Sequence, residues 1–265
     1  MNSEFKWGII GTGGIAKAFA NDLGYLKNHT VAAVGSRTLT SAQEFASKYP
    51  GCLGYANYSK LVADPSLDGV YIATPHNFHK DHTLLALNAS KPVLCEKPFA
   101  VNVREVCSMI ELAQKNGLTL MEAMWTRFLP HMATVREIMA SGVLGDIFTL
   151  QADFGQRLTE NKNPRLWEPE LAGGALLDMG IYPVSFSHLI LGAPTKITAR
   201  STFTDKGVDA QTSAIFEYEN GALSIISTSS HTQTSCTAHV SGSKGFLEID
   251  YLFYCPTAMR VFLYD

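Results

Sequence analysis

The chain has 265 residues, 46% of them hydrophobic and 17% charged, with a formal net charge of −3. That balance belongs to an ordinary globular protein able to bury the cores of two domains, and with no block of like charges it argues against a nucleic-acid or anionic-membrane surface. Small-molecule chemistry is the class that remains.

The five cysteines, Cys52, Cys95, Cys107, Cys236 and Cys255, are odd in number and contain no CxxC pair. They fit a reducing cytoplasm and argue against a disulfide framework or a structural zinc site. The N-terminal "MNSEFKWGIIG" lacks a basic region followed by an apolar run, so no signal peptide is expected. The longest apolar segment, "GALLDMGIYPVSFSHLILG", carries Asp178, Pro183 and His188 and reads as a core helix, not a membrane span.

In chain order, the runs "KWGIIG", "VAAVGS", "GVYIAT", "KPVLCE" and "LTLME" are strand-like. Helical spacing separates them over residues 15–26, 40–49, 77–88 and 102–116. Strands alternating with helices make a parallel sheet with helices on both faces. The pattern changes after Met121. A helix over residues 128–141 leads into "GDIFTLQADFG", and a Gly-rich start opens the helix of the long apolar segment. Then "TKITARSTFT", "AQTSAIFEYENGALSIISTSS", "TAHVSGSKGFLEIDY" and "AMRVFLYD" alternate apolar and polar residues, as half-buried antiparallel strands do.

The first strand-to-helix junction, "IIGTGGIAKAFA", reads GxGxxA through Gly11, Gly13 and Ala16. Gly11 permits a tight turn, Gly13 lets the backbone approach a pyrophosphate, and Ala16 lets helix and strand pack closely. Backbone N–H groups from Thr12, Gly14 and Ile15 belong to the same phosphate-binding turn and helix start. About 20 positions later, where an NAD site carries an acid for the ribose hydroxyl, this chain has Ser36 and Arg37. A hydroxyl beside a guanidinium suits a 2′-phosphate, which favours NADP over NAD.

The GxGxxA start, the turn "TPHNFH", "CEKP" and "GGALLDMGIYP" occur in this order. Together they resemble the Gfo/Idh/MocA oxidoreductase family, and "EKPFAVNVREV", "LMEAMWTRFLP" and "YCPT" are most similar to its dimeric dihydrodiol dehydrogenase branch, which includes NADP-dependent D-xylose dehydrogenases. The resemblance implies an α/β fold. An N-terminal Rossmann domain with a parallel, doubly wound sheet is expected over residues 1–122, and an α/β domain with a mainly antiparallel open sheet over 123–265. The second domain would bind substrate and form a homodimer through that open sheet. Branch members continue beyond "YCPT" with a further strand and helix, so a C-terminus truncated relative to the family is expected.

In the family pattern Lys97 is catalytic. The local residues agree: Lys97 follows the apolar strand "PVLC" and precedes Pro98, at the carboxyl edge where ligands of parallel sheets bind. Whether the Lys97–Pro98 bond is cis is left open by the sequence. Asp178 and Tyr182, four residues apart and so on one helix face, would meet the substrate hydroxyls by resemblance. Many family members carry histidine in place of Tyr182, and tyrosine is typical of the dihydrodiol branch. Glu96 and the turn residues Thr74, Pro75, His76 and His79 would lie beside the nicotinamide. Trp125, Phe154 and Trp167 would line the substrate cleft.

His76, His79 and His82 do not make a metal site, because steps of three on a helix turn His76 and His82 about 120° apart. His82 is expected to be a solvated helix residue, and no metal is expected. The sequence therefore points to a cytoplasmic NADP-dependent oxidoreductase acting on a secondary alcohol or hemiacetal carbon of a diol or aldose. Two rivals use the same fold: a nucleotide-binding sensor without turnover, and a sugar isomerase or glycosidase that uses its nicotinamide transiently.

Overall fold

The computed structural model describes residues 4–265. They form two compact units, one ending at Ala123 and one beginning at Met124.

The first unit alternates strand and helix: β1 (Phe5–Ile10), α1 (Gly14–Leu23), β2 (His29–Gly35), α2 (Leu39–Ala46), β3 (Leu53–Tyr55), α3 (Tyr58–Val62), β4 (Gly69–Ile72), α4 (His79–Asn88), β5 (Val93–Glu96), α5 (Val103–Asn116) and β6 (Leu120–Ala123). The sheet order is β3-β2-β1-β4-β5-β6 and every pair is parallel. The chain winds outward from β1 in one direction, then crosses to β4 and winds in the other. Between β1 and β4 the crossovers diverge and leave a crevice at the carboxyl ends.

Successive strand residues point to opposite faces, and the core follows that rule. Ile9, Val34 and Tyr71 pack with Ala16 and Phe45 on one face, while Ile10, Ala33, Val70 and Ile72 pack with Leu61, Leu87 and Met109 on the other. Local signals set the helix ends. Asn102 caps α5 by accepting the Glu105 N–H, and Gly117 ends it at φ +64, with the Leu118 N–H returning to the Ala113 carbonyl.

Two elements here escape the sequence patterns. The edge strand β3 has three residues, too few to display a period, and Leu53 on it is exposed. Gly54 fits there because a Cβ would come within 2.9 Å of the α2 backbone at Ala42. α3 has only five residues and shows little periodicity, although Asn57 caps it.

The second unit contains α6 (Pro130–Ser141), β7 (Ile147–Gly155), α7 (Ile181–Leu191), β8 (Lys196–Phe203), β9 (Asp209–Glu217), β10 (Leu223–Ser229), β11 (Ala238–Gly242), β12 (Gly245–Ile249) and β13 (Met259–Leu263). Its sheet runs β13-β12-β11-β7-β10-β9-β8. Only the β10–β7 pair is parallel, the rest antiparallel. One sheet face is the core: Leu150, Ala152 and Phe154 of β7 and Val240 of β11 pack against Met132 and Val135 of α6 and Tyr182 and Phe186 of α7.

The long apolar segment is not one regular helix. Short 3-10 turns at Pro164–Trp167 and Pro169–Leu171 precede a π-turn at Leu176–Gly180, which passes directly into α7. Pro183 has no N–H with which to close the next ladder bond, and the ladder widens just before it.

Candidate active site

The first unit gathers its candidates at the carboxyl ends of β1, β2, β4 and β5. Gly11 stands at φ +112, and a Cβ on it would lie 2.5 Å from the Ala73 carbonyl oxygen at the end of β4. No other residue type fits there without moving β4. Gly13 differs: its φ is −74, and a Cβ would meet nothing within 4 Å. The fold does not need glycine at 13 or 14, so the bare backbone leaves room for a ligand to approach. Thr38, Asn57 and Asn102 cap α2, α3 and α5, whereas no side chain caps α1, so its first N–H groups face outward past Gly14 and the exposed Ile15. An anion fits such an end. Ala16 is fully buried against the sheet.

At the end of β2, Ser36 is buried with its hydroxyl 3.4 Å from that of Thr12, and Arg37 is exposed. Burial pushes the Tyr58 phenol up, and the nearby Arg37 charge offsets part of that rise. Hydroxyl donors and one guanidinium thus border the uncapped helix start, a donor set that fits a phosphorylated ribose.

After β4, Thr74 and Pro75 lead into a 3-10 turn at His76–Phe78. His76 is buried, and His79 is completely so. The His79 ring lies with Nδ1 2.7 Å from the Pro98 carbonyl and Nε2 2.8 Å from the Thr74 carbonyl, so it ties the turn after β4 to the turn after β5. The expectation of a solvated His82 is corrected here. Its Nδ1 is 3.0 Å from the Thr74 hydroxyl, its ring packs between Tyr58 and Phe78, and burial lowers its pKa.

Lys97 is half-buried immediately past β5, and its bond to Pro98 is cis. Glu96 beneath it is buried; its carboxylate accepts the Lys97 N–H at 3.1 Å and the hydroxyl proton of Tyr71. Burial raises the Glu96 pKa, against the pull of Tyr71 and of the Lys97 charge. Tyr71 in turn stacks on Phe19 of α1 at 3.9 Å. No local pattern in the sequence marks this Tyr71–Glu96 pair.

In the second unit Tyr182, Trp125 and Phe154 come together. The Trp125 indole N–H donates to the Tyr182 hydroxyl at 2.9 Å, and the Phe154 ring centroid is 5.4 Å from that of Tyr182. Tyr254, from the "YCPT" stretch, completes the cluster, stacked on Phe154 at 4.0 Å and 5.1 Å from Tyr182. Phe154 and Tyr254 are buried, and Trp125 remains 37% exposed. Trp167 is placed apart from these rings: it stacks on His231 and donates to the Leu158 carbonyl. Asp178, one turn before Tyr182, has a side chain only 13% exposed and pairs with Arg165 at 3.1 Å. Sequence reasoning misses Arg165, because a loop arginine carries no local signal of its partner.

A family model described as an oxidoreductase family with an NAD-binding Rossmann fold matches residues 5–124, and the GFO/IDH/MocA C-terminal domain matches residues 132–248. The chain belongs to the Gfo/Idh/MocA oxidoreductase family. It is 41% identical over 260 residues to trans-1,2-dihydrobenzene-1,2-diol dehydrogenase of Mus musculus, spanning 97% of this chain and 77% of the mouse protein. It is 35% identical to D-xylose 1-dehydrogenase (NADP(+)) of Hypocrea jecorina, covering 97% of this chain and 74% of that one. Among solved structures, KijD10, a 3-ketoreductase from Actinomadura kijaniata in complex with NADP and TDP-benzene, superposes with a TM-score of 0.91 at 26% identity, over 99% of this chain and 82% of that one.

Proposed function

We propose that this family member is an NADP-dependent oxidoreductase that oxidises a secondary alcohol or hemiacetal carbon of a vicinal diol or aldose sugar. What carries the cofactor half is the uncapped start of α1 beside a glycine whose Cβ would meet nothing, with Ser36 and Arg37 at the next strand end. The names of the mouse and Hypocrea relatives support the diol or sugar half. So does a carboxylate near an aromatic cluster, which offers an acceptor for hydroxyls and a flat apolar surface for a ring.

Thr12, Gly13, Gly14 and Ile15 would hold the pyrophosphate, Ser36 and Arg37 the 2′-phosphate, and Thr74, Pro75, His76, His79 and Glu96 would border the nicotinamide. NADP, when bound, supplies the hydride acceptor. Asp178 accepts a hydrogen bond from a substrate hydroxyl and orients it. Lys97 and the Tyr182 phenolate handle the hydroxyl proton as the C–O bond becomes a carbonyl. The Trp125 N–H, already aimed at the Tyr182 oxygen, helps hold that charge.

Substituting methionine for Lys97 keeps the aliphatic stem and removes the charge. The variant should bind NADPH as the wild type does and fail to turn over D-xylose or a trans-dihydrodiol. Unchanged turnover would overturn the mechanism. A single turnover with NADP separates an enzyme from a sensor, since a sensor binds sugar without reducing the nicotinamide.

A homodimer through the open sheet of the second unit is part of the same proposal. Leu223, Ile225 and Ile215 lie on its outer face at 43%, 41% and 42% exposure, with Ile215 directly opposite Ile225. Sedimentation equilibrium of the wild type against an Ile225→Glu variant tests it. The five cysteines are free, which supports a reducing, cytoplasmic setting.

A further inference from the structure

We infer that Asp209 is a positioning residue for Asp178 and Tyr182, acting from β9 on the start of the π-turn that carries them. The inference rests on the proton-handling site proposed above.

The first N–H groups of a helical segment have no partner within it. At Leu176–Gly180 no side chain of the segment itself supplies one. Asp209, 33 residues further on, supplies it instead: Oδ2 accepts the Leu176 N–H at 2.8 Å, and the Ala175 N–H also bonds to the carboxylate. The Thr212 hydroxyl donates to Oδ2 at 3.2 Å and fixes the carboxylate from its own strand. Asp178 follows Leu176 by two residues and Tyr182 by six, so the direction of both side chains depends on how this first turn is anchored.

The two glycines before the turn make the anchor possible. Gly174 has φ +110, and a Cβ on it would lie 2.1 Å from Asp209 Oδ1. Only glycine lets the carboxylate come in. A Cβ on Gly173 would be 2.5 Å from the Leu166 carbonyl, so its absence lets the chain pass against the 3-10 turn that bears Arg165, the partner of Asp178. On the other side, Thr228 of β10 donates to the Phe154 carbonyl at 2.8 Å and lies 3.4 Å from the Ala175 carbonyl. Burial raises the Asp209 pKa, against the pull of the Leu176 and Thr212 bonds. A carboxylate kept in such a place costs stability, and the turn it anchors is the one that bears the candidate site.

The test compares D209N, G174A and the double variant, with Y182F as control. Turnover is expressed per NADPH-binding molecule, so that loss of folded protein does not count. Loosening the turn by about 1 Å lowers kcat of D209N and of G174A about ten- to hundredfold each, with the NADPH Kd unchanged. The double variant is no slower than the slower single one, because both changes remove the same contact. A wild-type kcat in D209N, or fully additive losses in the double variant, overturns the inference. If Y182F itself keeps full turnover, the site proposal has failed. If Y182F is inactive while D209N and G174A match the wild type, only the role of Asp209 has failed.

Discussion

His79 carries a prediction whose sign and size follow from its surroundings. The ring is fully buried, with one nitrogen 2.7 Å from the Pro98 carbonyl and the other 2.8 Å from the Thr74 carbonyl. Two carbonyl oxygens favour a doubly protonated ring, since a neutral imidazole donates only once. Burial opposes this, with His76 and His82 adding to it, and it prevails: the pKa is pushed down from 6.5 to about 4. Above pH 6.5 the ring is neutral in folded and unfolded chains alike, and the full stability is present. As pH falls from 6.5 to 4, the unfolded chain binds a proton that the folded one refuses, so stability falls. At about 1.36 kcal/mol for each pH unit of that window, the loss amounts to about 3 kcal/mol.

The perturbation is His79→Gln, which removes the titration and keeps a donor. Urea unfolding across that window should show the wild type losing about 3 kcal/mol more than the variant. Histidine-selective NMR of the wild type should show one of eight Cε1 signals, absent from the variant, that titrates near pH 4. Parallel pH dependences, or a His79 signal titrating near 6.5, would mean that burial does not keep this ring neutral. The same ring joins the turns that carry Thr74 and Lys97, so its protonation at low pH also bears on the candidate site.

Three further predictions concern the same unit. Gly11→Ala places a Cβ 2.5 Å from the Ala73 carbonyl at a positive φ, so it should lower the melting temperature as well as NADPH affinity, the backbone strain alone costing about 1–3 kcal/mol. Gly13→Ala meets nothing in the fold and should melt like the wild type while NADPH fluorescence titration shows weaker binding; unaltered affinity would contradict the pyrophosphate assignment. Tyr71→Phe takes the O–H donor from the buried Glu96 carboxylate and should destabilise the fold by about 1.5–3 kcal/mol. The Glu96 pKa is already raised by burial, so its ionisation erodes stability as pH rises from 4.5 through the folded value, and losing Tyr71 deepens that. The Tyr71→Phe deficit should therefore be larger at pH 8 than at pH 4.5 in urea titrations, and an equal deficit at both would count against this account.

Features governed by the local backbone are legible in the sequence itself. The need for a left-handed turn at Gly11, the cap and stop of α5 at Asn102 and Gly117, and the alternation along β9 and β10 are each written within a few residues, because φ, ψ and side-chain direction are set by nearest neighbours. That locality makes the parallel first sheet, the mainly antiparallel second sheet and the phosphate-type turn readable. β3 and α3 escape because three and five residues are too short to repeat a pattern. The partners that orient the candidate residues escape for another reason. Tyr71 reaches Glu96 across 25 residues, Arg165 reaches Asp178 across 13, Trp125 reaches Tyr182 across 57, and Asp209 reaches Leu176 across 33. Such pairings exist only once strands and turns from distant parts of the chain lie side by side, and burial then decides which groups must find a partner. Residue types and their spacing thus determined where chemistry is carried, while tertiary packing alone decided what holds each group in place and which way its proton equilibrium leans.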